Sequence, residues 1–258
     1  LLPQWLDTAD RLFEGSRKYR PGNGLMNTEF RPYYNWAEWE AVDHTGVPAI
    51  QNAWLVLALR CAGGMAHGMG QSARSSRWRL EADDLDLMMQ AAFWSEARGA
   101  YVDSVHEGRQ SSIVSQQTTS LMAFAGIGTP ERLRSALRTI LRPGSADVPL
   151  TMQFRAYHNE GRERLGLEDG IIDDIRARWG RILDLGATTT WETEKALEFA
   201  GQIMQEFYEF LFHRLPSPLP IGVLRTMAPE SCAQPLQQDQ AGVLLASSNP
   251  GAHRKPPT

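Results

Sequence analysis

The sequence predicts an all-α fold built as two concentric layers of helices, and three observations predict it. Apolar residues recur at helical spacing in one segment after another, strand-like alternation is almost absent, and helices poor in charge alternate with charged amphipathic ones. A helix that is apolar nearly all round must be covered on most sides, whereas one with a charged stripe faces water along it. The alternation therefore assigns successive helices to an inner and an outer layer. A helical-repeat solenoid is the competing arrangement, but no self-similar unit of fixed length is present.

Taken in chain order, Trp5, Leu6, Ala9, Leu12 and Phe13 give a first amphipathic stripe, stopped by the turn-rich run Arg20-Pro21-Gly22-Asn23-Gly24. After Pro48, Ile50, Ala53, Trp54, Leu55, Val56, Leu57, Leu59, Ala62 and Met65 make a helix with almost no polar face, which belongs inside. The next helix keeps Glu81, Asp83, Asp84 and Asp86 on one side and Leu85, Met88, Met89 and Ala92 on the other, as an outer helix does. A connector, Gly99 to Ser104, leads to the nearly uncharged stretch Ser115 to Gly126, predicted to be internal. Thr129-Pro130-Glu131 opens an outer helix with Pro in its first turn, and Leu133, Ala136, Leu137, Ile140 and Leu141 fall on one stripe. Leu150 to Glu160 is shorter and more apolar. Glu168 to Leu183 is again charged and amphipathic, with Ile171, Ile172, Ile175, Trp179 and Ile182 expected inward. A last helix, Glu194 to about His213, carries Ala200, Ile203, Met204, Phe207, Tyr208 and Leu211. From Pro216 the character changes: eight of the fifteen prolines fall in residues 216–258, with no aromatic residue, so residues 1–215 are expected to fold and 216–258 to form an irregular, disordered tail.

Composition narrows the function classes. A formal net charge of -4 argues against nucleic acid as a partner, since that needs a clustered basic face. No apolar run is long enough for a membrane span. Cys61 and Cys232 stand in unlike contexts and suggest no disulfide framework, and the six histidines show no two-ligand spacing, so neither a metal nor a cofactor is expected. Residue 1 is Leu and no signal-like run opens the chain, which reads as a piece cut from a longer protein. Oligomeric state is left open.

The residues best placed for chemistry lie in Gly186-Ala187-Thr188-Thr189-Thr190-Trp191-Glu192-Thr193, between two helices. A carboxylate beside an indole suits a sugar: the ring lies against the C–H face of a pyranose while the carboxylate takes a proton from water. The same residues also read as a solvated loop Glu beside a core-anchoring Trp. A second loop, Tyr33-Tyr34-Asn35-Trp36-Ala37-Glu38-Trp39-Glu40, brackets Glu38 with two indoles; these either line a pocket or plug the end of the core. Asp43 and His44 extend a pocket rim or serve as a local turn device, and Asp103, with Tyr101 and His106, is expected to satisfy turn backbone groups. Ser115, Gln116 and Gln117 either present polar groups to a hydroxylated ligand or, for Ser115, simply cap a helix.

Read together and in order, Tyr34-Asn35-Trp36-Ala37-Glu38-Trp39, Gln51-Asn52-Ala53-Trp54-Leu55, Ser115-Gln116-Gln117-Thr118, Ala125-Gly126-Ile127, Arg178-Trp179-Gly180 and the Gly186 to Thr193 block resemble the C-terminal half of an α-L-rhamnosidase catalytic domain of the glycoside hydrolase family 78 type. The resemblance runs from about Trp5 to Phe199 and implies an incomplete six-hairpin (α/α)6 toroid. It implies that Glu192 is the general base of an inverting hydrolysis of terminal α-L-rhamnose or a similar deoxysugar. Trp191, Asn35, Trp36, Glu38 and Trp39 would line the sugar pocket, with a carbohydrate as partner. The second acid of such a pair, about 6.5–9.5 Å across the scissile bond, is implied upstream of the matched region. After Phe199 the likeness stops: Gly201-Gln202-Ile203-Met204 stands where the family continues into a Cys-His-containing stretch whose His contacts sugar. That departure supports the alternative of a catalytically inactive, carbohydrate-binding or structural remnant.

Overall fold

A computed structural model describes residues 2–21, 24–30 and 40–184. The Asn35 to Trp39 loop, the Trp191-Glu192 block, the helix expected over residues 194–213 and the tail from Pro216 lie outside the described residues.

The described residues are mostly helical. Helix α1 (Leu2–Arg17) is followed by a 3-10 turn (Thr28–Phe30), then α2 (Ala49–Gly68), α3 (Ser72–Phe93), α4 (Gln116–Ala125), α5 (Pro130–Ile140), α6 (Phe154–Arg164) and α7 (Ile171–Asp184). No helix among them is long and apolar enough to cross a membrane. Packing follows the predicted alternation. Helix α4 packs against both α2 and α6, while α1 and α3 lie on α2 and α5 lies on α4. Two of the inner helices have little charge, with ten residues of α2 buried and no charged residue at all in α4, whereas α6, which packs on α4, carries Arg155, Glu160, Arg162, Glu163 and Arg164.

Local chemistry sets the boundaries of these helices. Ser115 caps α4 by accepting from the Thr118 N–H, and Gly126 ends it at φ +68°, the left-handed conformation a glycine adopts without strain. Thr129 caps α5, with Pro130 at its first position. Small residues set the layer spacing: a Cβ on Gly63 would come 3.0 Å from Arg79 Cγ, and one on Gly161 would come 3.1 Å from the Phe124 backbone nitrogen. Trp78 of α3 is fully buried, edge-on to Phe13 of α1 at 5.4 Å. Tyr157 of α6 gathers Trp54, Phe124 and Phe154 around its ring at 5.1–5.5 Å, joining the three inner helices.

Four details depart from the sequence reading. The connector region contains two small antiparallel sheets, β2 (Trp94–Ser95) with β3 (Ala100–Tyr101), and β1 (Val47–Pro48) with β4 (Ser104–His106) and β5 (Arg109–Gln110). Strands of two or three residues are too short to leave a period-two signature. Trp5 and Leu12 point outward, leaving Leu6 and Phe13 as the buried stripe of α1. On α7 only Ile182 is buried, and Ile172 is 57% exposed. Two of the four acids of α3 are also less solvated than predicted: Glu81 binds Arg17 and Arg20 from α1 and its continuation, and Asp86 binds Arg60 of α2 at 2.6 Å.

Candidate functional site

The N-terminal ends of α2 and α4 and the chain leading into α6 are joined through one buried carboxylate and its neighbours. Asp103, fully buried in the turn between β3 and β4, accepts the Ala49 N–H at the start of α2 on its carbonyl (2.7 Å). Its side chain takes the α4 cap: Oδ1 accepts from the Ser115 backbone N–H at 3.0 Å and from Ser115 Oγ at 2.6 Å. From the same end of α4, Gln117 Nε2 donates to Pro149 O at 2.8 Å, and Gln116 Oε1 accepts the Leu150 N–H at 2.9 Å. The three inner helices therefore present their N-termini at one end of the assembly.

The second carboxylate at this end is Asp43. Its Oδ2 accepts from Ser104 Oγ (2.8 Å) and Ser111 Oγ (2.6 Å), its Oδ1 accepts from the Thr45 N–H (3.0 Å), and its own N–H donates to Asp103 Oδ2 at 3.2 Å. The two acids are pushed in opposite directions. Burial pulls the Asp43 carboxyl up, but the bonds from Ser111, Thr45 and Ser104 outweigh it and hold the group down at about 2. Deeper burial wins at Asp103, whose carboxyl is raised despite the donors from Ser115, Thr118 and Asp43.

Several sequence candidates prove to be structural in this arrangement. Asp103 serves backbone groups as expected, with the addition that they belong to two helix starts 66 residues apart in sequence, Ala49 and Ser115. Ser115 is a helix cap. The Gln116 amide is used on both atoms, Nε2 donating to Ile140 O at 2.7 Å, so it holds protein rather than ligand. Gln117 keeps a buried Oε1 with no partner among the described residues. His44 Nδ1 sits 3.1 Å from Val42 O, and His106 Nε2 meets Glu29 at 2.6 Å on the surface. Burial pushes the Tyr101 hydroxyl up to about 12, and its ring stands edge-on to Trp94. Ser104 and Ser111 were missed, because nothing in their local sequence marks them as partners of a residue more than sixty positions earlier. No group of three or more His, Cys, Asp or Glu side chains suited to a metal ion occurs among the described residues.

Asn35, Trp36, Glu38, Trp39, Trp191 and Glu192 lie outside the described residues. Covalent continuity still locates one boundary. The strand of chain that follows Trp39 enters the described region at Glu40, and by Asp43 it is bound to Asp103. Residues 40–43 therefore lie at the end where the inner helices begin. The shallow surface depression lined by Asp10, Arg11, Glu14, Arg17, Lys18 and Arg77 belongs to the outer layer, on α1 and α3.

No protein-family model matches the sequence, and no curated protein does either. Among solved structures, the chain is similar to a rhamnosidase of glycoside hydrolase family 78 from Bacillus sp. GL1, at 26% identity and a TM-score of 0.66 over 74% of this chain. It is also similar in fold to a Klebsiella oxytoca rhamnosidase solved with rhamnose bound, at 24% identity and a TM-score of 0.63 over 77% of this chain. The matched region spans 20% of the Bacillus chain and 37% of the Klebsiella chain.

Proposed function

We propose that this chain carries the water-activating side of a glycosidase site acting on terminal α-L-rhamnose or a closely related deoxysugar. The observation that carries the reading is the likeness to the Bacillus family 78 rhamnosidase over 74% of the chain, combined with the Gly186 to Thr193 block that singled out the same family from sequence. In this reading the inner helices continue into a closed (α/α)6 ring, with the sugar held at their N-terminal end. Glu192 takes a proton from a water that attacks the anomeric carbon from the face opposite the leaving group, inverting the configuration. Trp191, Trp36 and Trp39 form apolar walls against the sugar's C–H face, and Asn35 and Glu38 take its hydroxyls. The leaving oxygen is protonated by an acid about 6.5–9.5 Å away, supplied by a segment outside these 258 residues.

The test is hydrolysis of an aryl α-L-rhamnoside by the longest polypeptide that contains residues 1–258. Glu192→Gln should lower turnover by roughly 10²–10⁴, the usual contribution of a general base. Undiminished turnover removes Glu192 from the mechanism. A second reading, a non-catalytic sugar-binding or structural remnant, is favoured by the departure at Gly201-Gln202-Ile203-Met204. It expects rhamnose to bind the longest polypeptide without any turnover.

A further inference from the structure

We propose that the tip of the β4–β5 hairpin, Glu107 with Arg109, is a contact site for the part of a glycan that lies beyond the terminal deoxysugar. The inference rests on the functional reading above, which puts the sugar at the N-terminal end of the inner helices.

The described helices are joined unequally at their two ends. At the C-terminal end of the inner helices the connections are brief: residues 69–71, 126–129 and 165–170. At the N-terminal end they are longer, residues 94–115 and 141–153, and the first of these carries four of the five strands. A brief turn only reverses the chain, whereas long connections on a helical scaffold are where binding residues are commonly carried. The β4–β5 hairpin has a fixed base. Ser104 and Val105 pair with β1, Gln110 Nε2 donates to Ala92 O and Trp94 O, both at 2.9 Å, and His106 Nε2 meets Glu29 at 2.6 Å. Residues 106–110 beyond that base are exposed.

The tip is strained. His106 and Arg109 face each other across a two-residue loop, with Glu107 at φ +50° and Gly108 at φ +74°. Both central residues of such a type I′ turn need positive φ, which glycine, asparagine and aspartate accept readily and glutamate does not. Glu107 is the one non-glycine residue with positive φ among the described residues. Nothing local offsets the strain: its side chain meets exposed Arg109 at 3.5 Å, at the outer limit of a hydrogen bond. Strain kept in a firmly based, exposed turn points to a use for the side chain outside the fold. A carboxylate and a guanidinium side by side are two planar groups suited to adjacent hydroxyls of a sugar ring, one accepting and the other donating. Two charges this open to solvent gain little from each other, so both are free to turn to a ligand.

The experiment uses the longest polypeptide that contains residues 1–258 and measures its melting temperature and its calorimetric binding of two sugars. One is L-rhamnose; the other is a sulfur-linked rhamnosyl-glucose disaccharide, which resists hydrolysis. The unaltered polypeptide should bind the disaccharide about tenfold more tightly than L-rhamnose. Glu107→Asn suits the turn but is one methylene shorter. It should raise the melting temperature, weaken disaccharide binding by about tenfold and leave rhamnose binding unchanged. Glu107→Gln keeps both length and strain, and should retain most of the disaccharide affinity. Arg109→Ala should weaken disaccharide binding without the rise in melting temperature. Disaccharide affinity untouched by Glu107→Asn, or equal affinities of the unaltered polypeptide for the two sugars, would overturn the role of the tip and leave the functional reading standing. Binding of neither sugar would overturn that reading, and the proposal with it.

Discussion

Helices α4 and α7 were read from the same kind of evidence and came out differently. Both have apolar residues at helical spacing, yet eight of the ten residues of α4 are buried and only Ile182 of α7 is. The difference lies in where polarity sits. Helix α4 has no charge of its own and takes its charged partners from elsewhere: the Asp103 carboxylate at its N-terminus, and at its C-terminus Arg60, which donates to Ala125 O and Gly126 O, and Arg164, which donates to Phe124 O at 2.6 Å. Anion at the start and cations at the end both match the helix dipole. Helix α7 carries its own charges, and its visible ties are ion pairs: Asp174 binds Arg155 of α6 at 3.0 Å and Arg178 of its own next turn at 2.8 Å. An apolar stripe says which face a helix can bury; absence of charge all round says that it must be buried.

Four measurements break or sharpen that contrast. The largest effect is expected from truncating the cores of the two helices. Leu121→Ala in α4, at a fully buried position, should cost about 2–5 kcal/mol in urea unfolding, whereas Ile172→Ala in α7 should stay within about 0.5 kcal/mol. Equal costs would erase the distinction. Next comes pH. His158 of α6, buried 2.8 Å from Ser120 Oγ of α4, is held neutral: burial lowers it to about 3, with Arg162 and Arg155 adding to the effect. Its folded value lies below its unfolded one, so the stability it contributes is complete above about pH 6.5 and is lost as pH falls toward 3, by roughly 1.4 kcal/mol per unit. His158→Gln should flatten that slope in a series of urea midpoints; an unchanged slope would assign it to other groups.

Glycines give a smaller effect with opposite signs. In a helix interior, Gly→Ala normally stabilises by about 0.5–1 kcal/mol. Gly180 of α7 has open space around a new Cβ, so Gly180→Ala should raise the melting temperature. Gly161→Ala should lower it, because the new Cβ meets the Phe124 nitrogen at 3.1 Å and the Ala123 Cβ at 3.3 Å on a helix clamped at both ends. A rise in both would mean that α4 yields. The smallest effect is expected on the outer surface, where Arg77→Ala removes a half-exposed ion pair to Asp10 and should change stability by less than about 1 kcal/mol.

Much of this contrast was legible in the sequence, for identifiable reasons. Helix α4 stood out because Ser115 to Gly126 lacks charge and is bounded by a cap and a glycine, and α5 stood out because Thr129-Pro130 is a start signal that acts within one turn. The outward turn of Trp5 and Leu12 was not legible, since a stripe drawn from residue type alone includes its flanks. Nor were the partners of Asp43 and Asp103: hydrogen bonds between residues 12 to 68 positions apart leave no local trace. The candidate sugar residues, Glu192 and the Trp36 to Trp39 loop, were singled out by a carboxylate set beside indoles and then by family likeness, and they lie outside the described residues.

The clamps on α4 also bear on the order of events as the chain folds. Ten residues are too few for an isolated helix to persist in water, and the groups that satisfy this one's ends come from α2, α6 and the β3–β4 turn. The hairpin of α2 and α3, by contrast, joins long neighbours across the short turn at Met69 to Gln71. Contacts close in sequence form at lower entropic cost than distant ones, so the α2–α3 hairpin is expected to form before α4 becomes regular. Unfolding in reverse would release the capped N-terminal end of α4 from the β3–β4 turn before the α2–α3 hairpin opens.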